Sequence, residues 1–171
     1  MKALHLTKRF VGSLWPFGPP SRDDQWATSQ LLDGEVALWR KMSAQDRRHS
    51  VGVARRVDDH LGEKATRPVL AAALLHDVGK IDSQLGTFLR VVATLSAAVA
   101  GRETAELWVR SSGITRRVGL YLKHPQIGGD LLAMAGSDPF TETWARQHHL
   151  PEDQCELDTE LAHALRVSDD D

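Results

Sequence analysis

Cysteine occurs once in the 171 residues, at Cys155, so an internal disulfide and a cysteine-rich zinc site are both excluded. A single free thiol fits a reduced, cytoplasmic setting. Long hydrophobic runs are missing too. The longest candidate, VVATLSAAVAG from Val91 to Gly101, is about half of the roughly 18–20 residues that a membrane span needs. The opening MKALHLTKRFVGSLWPFGPP starts basic and has a short apolar patch, but Pro16, Pro19 and Pro20 break it and no small-residue cleavage site follows. It therefore does not read as a secretory signal. No stretch alternates with period 2 for long enough to predict a strand, and there is neither an internal repeat nor a low-complexity segment. The net charge of −2 gives no overall attraction for nucleic acid, and basic residues are not interleaved with aromatics, so nucleic acid is not an expected partner.

What remains is ordinary globular composition, 42% apolar and 26% charged, in a chain long enough for one domain with its own core. Charge is uneven: residues 1–22 carry Lys2, Lys8, Arg9 and Arg22 without an acid, whereas Glu152 to Asp171 is strongly acidic. Both ends read as solvated. Residues 1–25, with WPFGPPS, read as an irregular N-terminal arm, and residues 26–171 as a helical domain. Val36, Trp39 and Met42 recur at helical spacing. Ser43, with Asp46 three residues on, predicts a capped start for a helix that Gly62 stops. Pro68 and Gly79 bracket the helix carrying VLAAALLHD, and DSQLGTFLRVVATLSAAVAG predicts another. GRETAELWVRSSG reads as a linker or short helix. Further helices follow in ITRRVGLYLKHP, HPQIGGDLLAMAG, DPFTETWARQHHL and PEDQCELDTELAHALRVSD, with Asp138–Pro139 as a cap and first helical residue. Trp39 and Trp144 lie on apolar faces and are assigned to the core. The fold class is all-α, a helical bundle.

LLHDVGKID, from Leu74 to Asp82, places a histidine and an aspartate at the end of an apolar helix. A buried carboxylate costs several kcal/mol or more unless it is paired or binds metal. Five histidines and two aspartates supply the answer: His49, then His76–Asp77, His124, His148–His149 and Asp169, each group on a different predicted helix or helix end. Helix bundles build metal sites from side chains that converge from facing helices. Imidazole and carboxylate donors without thiolates suit iron or manganese, or zinc, cobalt or nickel. Asp77, with two oxygens, is the natural bridge between two ions. His5, His60 and His163 read as surface or hydrogen-bonded histidines. Arg116 and Arg117, about two turns before His124, are expected at the mouth of the site, and Gly128 and Gly129 are expected to allow close packing beside it.

RRHS around His49, LLHDVGKID and ALRVSDDD together resemble the HD-domain superfamily of metal-dependent phosphohydrolases over roughly residues 35–171. The resemblance implies an HD-type helical bundle whose first metal is held by His49, His76, Asp77 and Asp169. YLKHPQIGGDLL and QHH resemble the HD-GYP branch, which implies a second metal on His124, His148 and His149 with Asp77 bridging; the Gly-Tyr-Pro stretch of that branch is missing here. Lys80 matches the lysine that in the family contacts a substrate phosphate. Asp169 lies in the last turn of the final helix, where fraying is expected unless something pins it.

The functional expectation is a phosphohydrolase, a phosphodiesterase or phosphomonoesterase acting on a nucleotide or related phosphate ester through one or two divalent ions. Asp77 and Lys80 are the catalytic candidates, and Lys80, Arg116 and Arg117 the substrate-binding ones. The alternatives are a non-catalytic HD-fold signalling module with a protein partner, and a di-iron oxygenase.

Overall fold

The structure is a computed structural model that describes residues 18–83, 85 and 102–170. Every regular element among them is helical. In chain order these are α1 (Ser21–Ser29), α2 (Asp33–Trp39), α3 (Ala44–Leu61), α4 (Arg67–Leu75), α5 (Arg102–Val109), α6 (Gly113–Leu122), α7 (His124–Ala135), α8 (Pro139–Gln147) and α9 (Thr159–Asp170). Short 3-10 turns cover Gly62–Lys64, Val78–Ser83 and Glu152–Gln154.

The element starts follow local chemistry. The Ser43 hydroxyl accepts from the Asp46 N–H and opens α3, while Gly62, at φ 53°, closes it. Asp138 accepts from Phe140 N at 2.9 Å with Pro139 in the first turn of α8. Glu35 reaches back to the Leu32 N–H at 2.7 Å and so closes the start of α2. Its carboxylate is buried and lies 3.5 Å from Arg67 Nη1, which ties α2 to the start of α4.

Burial organises the bundle around α4. Every residue from Val69 to Leu75 is buried, because small alanines let α3 and α8 pack on both sides of it. α9 packs against α3, and α7 against α8. Trp39 and Trp144, both essentially without exposure, fill the core as expected. A smaller cluster of Leu85 and Val118, with Trp108, Tyr121 and Leu122 against it, joins α6 to the segment after α4.

Two expectations are corrected. The first helix begins at Ser21, inside the stretch read as irregular, because Pro20 starts it and Asp24 in its first turn accepts from Trp39 Nε1 at 2.9 Å. Helix α4 ends at Leu75 rather than running to Gly79, and His76 to Ser83 form a tight turn instead. GRETAELWVRSSG, read as a linker or short helix, holds the short helix Arg102–Val109, which packs along α6. The helix predicted in DSQLGTFLRVVATLSAAVAG and the arm with Trp15 and His5 fall outside the described residues.

Gly79 does not stop a helix; it makes a close approach possible. A Cβ there would lie 2.0 Å from the His124 carbonyl oxygen and 2.6 Å from Gly128 N, so the turn after α4 rests directly on the backbone of α7. Gly128 faces the same contact from the other side, as the packing role read from the sequence anticipates. Gly79→Ala is expected to cost about 3 kcal/mol, at the upper end for overpacking, because the obstructing atoms are backbone. Urea unfolding of the variant checks this; a loss below about 0.5 kcal/mol would show that the contact is not tight.

Candidate metal centre

Three histidines are placed by one local device. His76 follows α4, His124 follows α6 and His148 follows α8. Each ring Nδ1 bonds the carbonyl three residues back: His76 to Ala73 at 2.9 Å, His124 to Tyr121 at 2.6 Å, His148 to Ala145 at 2.9 Å. The last carbonyls of a helix have no intrahelical donor, so the ring satisfies a group that the helix leaves open. A carbonyl only accepts, which puts a proton on Nδ1 and leaves Nε2 as the atom turned to the centre. A metal-binding histidine needs that arrangement. The C-termini of α4 and α8 therefore converge with the negative ends of their dipoles, a field that favours a cation, while His124 stands where α6 ends and α7 begins.

Asp77 lies in the middle, buried. Its Oδ2 is 3.4 Å from His76 Nε2 and touches Lys80 Nζ; its Oδ1 is 3.3 Å from His124 Nε2 and 3.9 Å from His148 Nε2. Each oxygen thus faces a different part of the histidine set. His49, from the middle of α3, meets Asp169 Oδ1 at 2.8 Å, and that oxygen is 3.7 Å from His76 Nε2. The ring of His149 lies 4.0 Å from that of His148 and 5.2 Å from that of His124, centroid to centroid.

The donors form two groups, His49, His76 and Asp77, and His124, His148 and His149, with the atoms of each group within 4.8 Å of one another. Ligands about 2.0–2.2 Å from an ion stand roughly 3.0–3.6 Å apart, and the spacings of 3.3 and 3.4 Å around Asp77 fall in that range. Nε2 of both His124 and His148 is buried without a hydrogen-bond partner among the described residues. Such an orphan costs about 1–3 kcal/mol, and a cation is the partner its lone pair suits. The residues present fit divalent metal.

The protonation states divide the same way. Burial alone would lower His76, but Asp77 and then Asp169 outweigh it and raise it to about 9. Burial pushes His124 down and His148 well down, the latter with His149 as the next cause. His149 is the most exposed of the set, but the crowded side of its ring, with His124 next, pushes it down to about 4. Burial would raise Asp77, yet Lys80 and His76 hold it well below the usual carboxylate range. Burial would likewise lower Lys80, and Asp77 holds it above its usual value. Asp169 is held low by His76 and His49 against the same burial cost.

The arginines expected at the mouth are elsewhere. Arg116 is exposed, and Arg117 donates Nε to the Ser83 carbonyl at 3.0 Å. Neither contacts the cluster among the described residues; seven residues of helix put Arg117 about 10 Å along the axis from His124. Arg117 instead braces the turn that carries Lys80. His60 and His163 are exposed, as read from the sequence.

Residues the sequence reading passed over hold the ligands in place. Arg56 donates Nε and Nη2 to the Ser168 carbonyl at 2.9 and 2.7 Å, which pins the last turn of α9 and with it Asp169. Its position seven after His49, on the same face of α3, was the available signal. Arg166 donates Nη1 to the His148 carbonyl at 3.1 Å and ties α9 to the end of α8.

A scan against protein-family models finds no match, and no curated protein or solved structure shows significant similarity to the chain.

Two outcomes follow from this geometry. At pH 7.5 His76 is protonated and the His124, His148 and His149 rings are neutral, so metal binding at the first group releases a proton and at the second none. Apparent affinity of the first group therefore rises with pH until about 9 and then levels, which calorimetry in buffers of different ionisation enthalpy would follow. Arg56→Met is expected to weaken the first group at least tenfold while leaving the second at wild-type affinity. Equal weakening of both would point to general unfolding instead.

Proposed function

We propose that the chain is a metal-dependent phosphohydrolase of HD type that acts in the cytoplasm on a nucleotide or related phosphate ester. His49, His76, Asp77 and Asp169 would hold one divalent ion and His124, His148 and His149 a second. The observation that carries this reading is the division of Asp77, whose two oxygens face His76 on one side and His124 and His148 on the other. That is the disposition a bridging carboxylate needs. The donor set, all nitrogen and oxygen, favours iron or manganese, with zinc, cobalt and nickel also suited.

Bound metal supplies Lewis-acid polarisation of a phosphoryl oxygen and a water of lowered pKa. The chain's own part is positional and electrostatic. The Ala73, Tyr121 and Ala145 carbonyls fix three imidazoles before any ligand arrives, so no reorganisation is needed during reaction. Lys80, half-enclosed beside Asp77 and braced through Ser83 by Arg117, presents a fixed positive charge for a phosphoryl oxygen. Phosphate as the target comes from the HD resemblance of HDVGK and the ordered ligands, and the buried cation site supports it.

Elemental analysis of protein purified without oxygen or chelator tests the reading. Wild type is expected to hold about two ions per chain, His124→Ala about one, with hydrolysis of phosphodiesters in a substrate screen only by the former. Protein that takes up no metal after reconstitution with iron or manganese would overturn the enzyme reading and leave a binding module.

A further inference from the structure

Tyr121 is the chain's single tyrosine, and it stands against both groups on which a phosphate ester would bear. Its carbonyl anchors His124. Its ring centroid lies 5.6 Å from that of His124, with a tilt of 33°, and Lys80 Nζ sits over its face at 5.8 Å. The same ring packs against the Leu85 and Val118 cluster. The apolar body is thus engaged by neighbours, but no described residue hydrogen-bonds the hydroxyl, and the side chain is half-buried rather than hidden. A phenolic hydroxyl can donate one hydrogen bond. A tyrosine with an engaged apolar body and an accessible hydroxyl is suited to offer that hydroxyl to a polar partner at the edge of a site.

We propose that Tyr121 is a substrate-contacting residue whose hydroxyl donates a hydrogen bond to a non-bridging phosphoryl oxygen, beside Lys80. The inference rests on the phosphohydrolase reading and adds to it a neutral donor next to the cationic one. It also fixes which end of a substrate lies here. The ring face is occupied by the Lys80 ammonium, with His124 tilted close by, so Tyr121 is not a platform for a nucleobase. The phosphate lies at Tyr121, and the organic group extends away from it. Loss of the hydroxyl should therefore weaken different phosphate esters by similar factors.

The single tyrosine makes the test direct. Full-length protein labelled with fluorotyrosine gives one fluorine resonance from the tyrosine, and zinc loading keeps the sample diamagnetic. Titration with inorganic phosphate is expected to move that resonance saturably. In calorimetry Tyr121→Phe is expected to bind phosphate about tenfold more weakly than wild type, the loss of one hydrogen bond to a charged group. Zinc per chain and melting temperature should be unchanged, because phenylalanine preserves the packing on Val118. Phosphate binding of equal affinity in the variant, with a stationary resonance in labelled wild type, would overturn the role of Tyr121 and leave the phosphohydrolase reading standing. Zinc-loaded wild type that binds no phosphate at all would overturn both.

Discussion

The buried charge of Asp77 is the constraint around which the rest of the structure is arranged. A carboxylate taken out of water must be compensated, and here four cations or potential cations among the described residues, Lys80, His76, His124 and His148, lie within 4 Å of it. The compensation comes from four places in the chain: the residue before it, the turn after it, and the ends of α6 and α8. The fold can satisfy Asp77 only if those helix ends reach one point. The short α4, the tight turn that follows it and the contact of Gly79 with the backbone of α7 all serve that convergence.

Placing donors at helix C-termini solves two problems together. It gives the last carbonyls a hydrogen-bond partner, and it aims the remaining ring nitrogen into a region of negative potential. His49 is the exception, coming from mid-helix, and its partner Asp169 is supplied by the last turn of α9 under the hold of Arg56. Three of the donors, His76, His124 and His148, are fixed by main chain rather than by another flexible side chain, which makes that part of the set rigid.

Much of this was legible in the sequence, for identifiable reasons. Helical periodicity, Ser43, Asp138–Pro139 and the lack of alternating stretches specify the elements, since all act within a few residues. The histidines and aspartates were legible as a set because imidazoles and a carboxylate at successive helix ends have few other uses. The end of α4 was misjudged because Gly79 acts through a tertiary contact with His124, which leaves no local mark. Arg116 and Arg117 were misplaced for the same reason: charge and proximity in sequence did not show that the Arg117 guanidinium would be taken by the Ser83 carbonyl. Arg56 and Tyr121 were passed over because their roles depend on which main-chain groups lie opposite them.

The contacts that complete the site join parts of the chain that are far apart in sequence. His49 and Asp169 are 120 positions apart, and Arg56 and Ser168 are 112. Long-range contacts of this kind form late, after the intervening loop entropy has been overcome. A chain still emerging from the ribosome has the His76–Asp77 pair well before it has α9 to close against it. The assembled centre is thus a record of long-range folding: no fragment ending before α9 contains the His49–Asp169 pair, and any cation that needs the whole set meets only molecules in which α9 has docked.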